Sequence, residues 1–166
     1  TDGIVTTNFT CDATCITIGA NNITIDLMGY TLIFANTSLG YGISNSGYDN
    51  VTVKNGTLNQ GNIVHQVSVY SAILWTSGSD SGHILNINSN VHDINCRSIY
   101  VISSNNNNIS ENILYSDVSQ GLRMESSNNN TLNNNIVNSN TSIGIYLYLS
   151  SNNTLNNNTG NSNISS

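Results

Sequence analysis

The segments Gly121-Leu-Arg-Met-Glu-Ser-Ser-Asn-Asn-Asn-Thr-Leu132 and Gly144-Ile-Tyr-Leu-Tyr-Leu-Ser-Ser-Asn-Asn-Thr-Leu155 are variants of one unit. Each opens Gly-apolar-x-apolar, passes through a Ser/Asn patch and reaches Leu after 11 steps. Ser98-Ile-Tyr-Val-Ile-Ser-Ser-Asn-Asn-Asn-Asn-Ile109 has the same layout, so the three starts are 23 residues apart. Upstream the phase continues with variable spacing, giving starts at 14, 42, 72, 98, 121 and 144. A coil of ~22–25 residues with short alternating strands has the dimension of a parallel β-helix, not of a leucine-rich or ankyrin repeat.

The reading is therefore an all-β, single-stranded, right-handed parallel β-helix (solenoid) of about six coils. One domain spans 1–166, with 1–13 as an N-terminal entry segment and 14–166 as coils. Alternation along a strand separates inside from outside. Ile99, Val101, Leu122, Met124, Ile145, Leu147 and Leu149 are expected to point inward. Ile109, Leu132 and Leu155 are expected to stack on the next sheet. In the coil begun by Ala72, a Gly/Ser-rich insertion at 76–82 is expected to displace the matching position to Ile87. Three residues after these positions come Asn90, Asn112, Asn135 and Asn158, read as an asparagine ladder, with Gly56 at the same phase after Val53. Asn tolerates left-handed turn angles, and its amide can bond to the same amide one coil away.

The composition fits this reading. The chain holds 33 Asn, 24 Ser and 16 Thr, no Pro, and only three basic residues, Lys54, Arg97 and Arg123. Disorder is set aside because an Asn-rich tract without structure has no reason to keep apolar residues in phase. The net charge of −6 reflects missing cations rather than abundant acids. Nucleic-acid binding needs clustered Lys and Arg, so no nucleic-acid partner is expected. No apolar run approaches the ~18 residues of a spanning helix, so membrane insertion is not expected either. Cys11 and Cys15 are close enough in sequence to bridge; three buried thiols, Cys96 among them, are the equal alternative.

Asn22-Ile-Thr-Ile-Asp-Leu-Met-Gly-Tyr-Thr-Leu32, Asn50-Val-Thr-Val-Lys-Asn-Gly-Thr-Leu58 and the later Asn-Asn-Thr-Leu-Asn-Asn-Asn segments resemble the parallel β-helix repeat family of NosD-like periplasmic proteins and the CASH domain. The resemblance covers nearly the whole chain. It implies the fold, and it invites a search for copper ligands and for the paired carboxylates of sugar hydrolases on similar folds. His65, His83 and His92 sit in no closely spaced ligand motif,. The nine acids are scattered, and a glycosidase needs two carboxyls about 5–10 Å apart,. Asp93 and Asp117 come nearest to sharing a column. No catalytic residue, metal or cofactor is expected.

Eleven Asn-x-Ser/Thr sequons, at Asn8, Asn22, Asn36, Asn50, Asn55, Asn108, Asn129, Asn140, Asn152, Asn157 and Asn163, are candidates for glycosylation,. On the outer faces, Tyr100, Arg123 and Tyr146 are expected to form one column at ~4.8 Å spacing, preceded by Leu74. Ile102, Glu125 and Tyr148 are expected to form a second. The segment 161–166 stops partway through a coil, an open edge expected to pair with another subunit. The functional expectation is a non-enzymatic, extracellular or cell-surface structural protein that self-assembles as a homo-oligomer or polymer through its ends or its tyrosine stripe. A carbohydrate-binding module using Tyr100, Tyr146 and Tyr148 is the alternative, and a polysaccharide hydrolase or lyase the third.

Overall fold

The computed structural model describes residues 2–63 and 69–163, in which the regular elements are all β-strands. Every strand pair is parallel. One sheet stacks six strands in the order Ile145–Tyr148, Leu122–Glu125, Cys96–Ile102, Tyr70–Thr76, Ile43–Ser46 and Ile16–Thr17. The other sheet has 12 strands and bends into two faces, because Thr52–Gln60 and His83–Val91 run unbroken round the corner between them. The product is a three-faced solenoid of six coils, preceded by the short strands Gly3–Ile4 and Phe9–Thr10.

Each face contributes an inward column. Ile16, Ile43, Ile73, Ile99, Leu122 and Ile145 are in register on the first. Ile25, Val53, Ile84, Ile109, Leu132 and Leu155 align on the second. Branched aliphatic side chains suit such strands because they pack against identical neighbours above and below. Leu132 is fully buried, whereas Leu155 in the last described coil is 45% exposed, with no described coil beneath it.

Four sequence expectations need correction, three in the coils and one, Asn90, in the ladder. Ile16 pairs with Ile43, so the equivalent of Gly42 is Cys15, and the coil start expected at 14 lies one residue too early. Ile84, not Ile87, pairs with Val53 and Ile109; the 76–82 segment carries only one extra residue, absorbed at Gly78 with φ 80°. Leu149 does not point inward. It is 71% exposed with φ 50°, at the corner where alternation ends.

The corners explain the rest of the pattern. Three columns of residues with left-handed backbone follow the solenoid, for example Asn106, Asn129 and Asn152; Glu111, Asn134 and Asn157; and Ser103, Ser126 and Leu149. In these three sets the side chain after each left-handed residue turns inward and accepts a backbone N–H of the coil before it. Asn112, Asn135 and Asn158 are such residues: Asn112 Oδ1 accepts the Ile87 N–H at 2.9 Å, and Asn158 Oδ1 accepts the Asn135 N–H at 3.0 Å. Asn90 does not belong to this ladder. It lies opposite Tyr115 on the outer face and is exposed, since the ladder position in its coil is Ile87. Gly56 occupies the ladder phase but without positive φ; a Cβ there would lie 2.3 Å from the Leu27 Cβ.

Two further ladders escaped the sequence reading. Asn107, Asn130 and Asn153 accept the backbone N–H groups of Gly82, Asn107 and Asn130 at 2.7–2.8 Å. Ser104, Ser127 and Ser150 do the same for Ser79, Ser104 and Ser127. Both recur at 23 residues, so the spacing was visible. Within runs such as Asn105–Asn108, however, sequence does not say which residue faces in.

Candidate functional site

The outer side of the six-stranded sheet carries the most distinctive surface. Leu74, Tyr100, Arg123 and Tyr146 are in register on successive strands, and Ile102, Glu125 and Tyr148 form the parallel column two residues on. The alternation that buries Ile99, Val101, Leu122 and Met124 forces these partners outward,. Tyr146 and Tyr148 lie on one strand with ring centroids 6.3 Å apart and planes 16° from parallel.

Arg123 sits between two rings, its guanidinium carbon 5.6 Å from the Tyr100 centroid and 5.5 Å from that of Tyr146. Arg97 lies over Tyr100 at 4.9 Å. Cation–π attraction holds a guanidinium in this way even where water competes. Glu125 Oε2 accepts hydrogen bonds from the Tyr100 hydroxyl and from Arg123 Nη2, both at 2.7 Å. Burial, and then the bond to Glu125, push the Tyr100 phenol from 10.0 up to about 12. The same bond, followed by Arg123, holds the Glu125 carboxyl below its ordinary value. Sequence reasoning placed the columns but missed Arg97, which precedes Tyr100 by three residues. Arg97 shares the parity of the inward Ile99 and Val101, yet its guanidinium reaches the Tyr100 ring, and the strand forms no pair with its neighbour at Ser98 between them.

The other candidates are dispersed. Cys11 and Cys15 form a disulfide, with Cα atoms 5.3 Å apart, in the loop between Phe9–Thr10 and Ile16–Thr17; Cys96 is free and buried. Of the sequons, Asn22, Asn50, Asn129 and Asn152 stand exposed on a single left-handed corner. Asn8, Asn55 and Asn140 are tied by side-chain bonds to Thr31, Asp26 and Asp117. Asn36 and Asn163 bond to Asn62 and Asn140, Asn108 is half-buried beside Ser110, and Asn157 is exposed at the last corner.

Asp49 and Asp80 are neighbours on adjacent coils, the Asp80 backbone N–H donating to Asp49 Oδ1 at 3.0 Å, while other acids are separately engaged. Asp26 pairs with Lys54 at 3.3 Å, Asp117 is bound by Tyr115 and Asn140, and Asp93 is buried against the Tyr70 hydroxyl. His83 lies on an outer face opposite Thr52 and Asn108, and His92 donates its N–H to Gln60; His65 lies outside the described residues. Copper prefers thiolate, thioether or imidazole donors brought together. Here Cys11 and Cys15 are bonded to each other, Cys96 is sealed in the core with its thiol pushed well above the ordinary value by burial, and Met124 is buried. Among the described residues no three His, Cys, Asp or Glu side chains gather to hold a metal ion. The described residues therefore do not form a copper site.

No curated protein and no solved structure matches the chain. The family model described as periplasmic copper-binding protein (NosD) does, over residues 17–166. That span takes in all six coils, including the tyrosine face, and the family's periplasmic character agrees with a protein acting outside the cytoplasm. The disulfide suits the same oxidising setting,. By its repeat, its three-faced solenoid and this match, the chain belongs to the NosD family.

Proposed function

We propose that the protein is a non-enzymatic, extracytoplasmic solenoid that works by contact, and that its contact face, the Tyr100–Arg123–Tyr146–Tyr148 surface, holds a glycan strand. The observation that carries this reading is the register of that face. Rings and guanidinium repeat on consecutive coils along the solenoid axis, the geometry a linear polymer of rings can follow. Tyr148 is 43% exposed and offers a ring to a sugar, while Arg123 and Glu125 offer hydrogen bonds at its side,. Retention of the intact protein on immobilised glycans tests it. Replacing Tyr146 and Tyr148 by Ala should abolish retention; unchanged retention, or none on any glycan, overturns the reading.

A second reading makes another copy of the chain the occupant of this face, giving a self-assembling surface or filament subunit. Its support is the apolar lip formed by Tyr148 and Leu149, the latter 71% exposed. Sedimentation and negative-stain microscopy of the parent and Leu149→Ser separate the readings. Assemblies lost on this change favour the copy; monomers that still bind glycan favour the first.

A further inference from the structure

Four of the eleven sequons fall at one place in the fold. Asn22, Asn50, Asn129 and Asn152 occupy the corner that leads into Thr24–Asp26, Thr52–Gln60, Thr131–Asn133 and Thr154–Asn156, with φ between 52° and 57°. Left-handed backbone favours Asn there. The chain then alternates: Ile23, Val51, Asn130 and Asn153 turn inward, and Thr24, Thr52, Thr131 and Thr154 open the strands on the outside,. The corner does not itself require the threonine. Ser81-Gly-His83 and Asn106-Asn-Asn108 turn it in the two coils between, and His83 and Asn108 stand in register with Thr52 and Thr131.

All four corner asparagines are exposed, and their backbone is served without the side chain: the N–H groups of Asn22, Asn50 and Asn129 donate to the Asp49, Asp80 and Ser151 carbonyls at 2.9–3.1 Å. Asn50 Nδ2 gives one hydrogen to Asn22 Oδ1 at 2.9 Å and keeps its second free. Asn55 and Asn140 differ, since their amide nitrogens are engaged between coils, by Asp26 and by Tyr115 and Asp117.

We propose that this corner is a ridge of N-glycosylation, its asparagines receiving an oligosaccharide from a lipid-phosphate carrier at a transferase met during export. In that transfer Nδ2 bonds to the sugar C1 and the C1–O bond to phosphate breaks. The phosphate departs on its lipid, and the nitrogen releases one proton. The product amide retains one N–H, so the bond from Asn50 to Asn22 survives. The threonine hydroxyl two residues on completes the acceptor motif. Whether sugar is added to the emerging or to the folded chain, the modified nitrogen must end in open space, and this corner supplies it. Occupancy does not depend on what the tyrosine face holds.

Glycopeptide mass spectrometry of the intact protein from its natural source, read site by site, tests this. Sugar is expected on the corner asparagines and absent from Asn55 and Asn140. In the same cells Thr131→Val, which keeps the β-branched shape and loses the hydroxyl, should strip sugar from Asn129 and leave it on Asn152. Thr131→Ser should keep it, which separates loss of the hydroxyl from loss of the fold. Four bare corner asparagines overturn the proposal, whatever other sites carry. Equal occupancy of Asn55 and Asn140 overturns the selection by the corner, and sugar retained on Asn129 in Thr131→Val overturns the role of the motif.

Discussion

Asn135 holds Asn112 twice: its Oδ1 accepts the Asn112 backbone N–H at 3.1 Å and the Asn112 Nδ2 at 2.9 Å, both inside the solenoid. At the same time its own Nδ2 donates to the Ile109 carbonyl at 2.8 Å. One side chain therefore satisfies polar groups of the preceding coil that water cannot reach.

Asn135→Ala should leave the Asn112 N–H and the Ile109 carbonyl without these partners, at a cost of about 2–4 kcal/mol. Asn90→Ala, on the exposed outer face, should change stability by less than about 0.5 kcal/mol. Urea denaturation of the two variants checks the contrast. Equal effects would mean that the ladder carries no special energy.

Tyr100 should ionise well above the ordinary phenol range. Its folded value, about 12, lies above the ordinary 10.0, so the neutral phenol's contribution is complete below pH 10 and is lost as pH rises toward 12,. Glu125 behaves oppositely. Its folded value is depressed below 4.5, so its contribution holds above that pH and disappears as acid protonates the carboxylate,. Ultraviolet titration of the phenolate should show a component near 12 that vanishes in Tyr100→Phe and moves down in Glu125→Gln.

Thiol chemistry should divide the cysteines. Native protein should give no reaction with a thiol reagent, because Cys96 is fully buried and Cys11 and Cys15 are bonded. Unfolded, unreduced protein should give one equivalent. Changing Cys11 and Cys15 to Ser should lower stability by about 2 kcal/mol at most, since so short a loop restrains the unfolded chain little. Three equivalents from unfolded, unreduced protein would remove the bridge.

Leu149 occupies a corner that other coils give to Gly47, Ser77, Ser103 and Ser126, and it carries positive φ without burial in return. Leu149→Gly should raise stability by about 1 kcal/mol, the usual relief for a side chain in left-handed backbone. Thermal melting gives the answer. A destabilised variant would show that Leu149 packs on something the isolated chain retains.

The repeat was legible because it is a matter of spacing. A 23-residue period with alternating apolar residues leaves a stacked parallel solenoid as the economical way to bury them, and the inward columns through Ile99, Leu122, Ile109 and Leu132 follow directly. The outer columns through Tyr100, Arg123 and Tyr146 follow from the same parity. Where coils deviate from 23 residues the inference slipped: Ile84 was passed over for Ile87, and Asn90 was drawn into a ladder it does not join.

What the sequence determined by itself was the periodicity, the inside and outside of each regular strand, and the residues able to share a column. These depend on local alternation and a constant step. Only the tertiary structure decided what happens at the corners and between coils: which asparagine of a run turns inward, that the Arg97 guanidinium reaches the Tyr100 ring, and that Glu125 is taken by Arg123 while Arg97 bonds to Gln120. Those outcomes depend on backbone dihedrals at single residues and on neighbours one coil away. A linear pattern of residue types does not encode them separately.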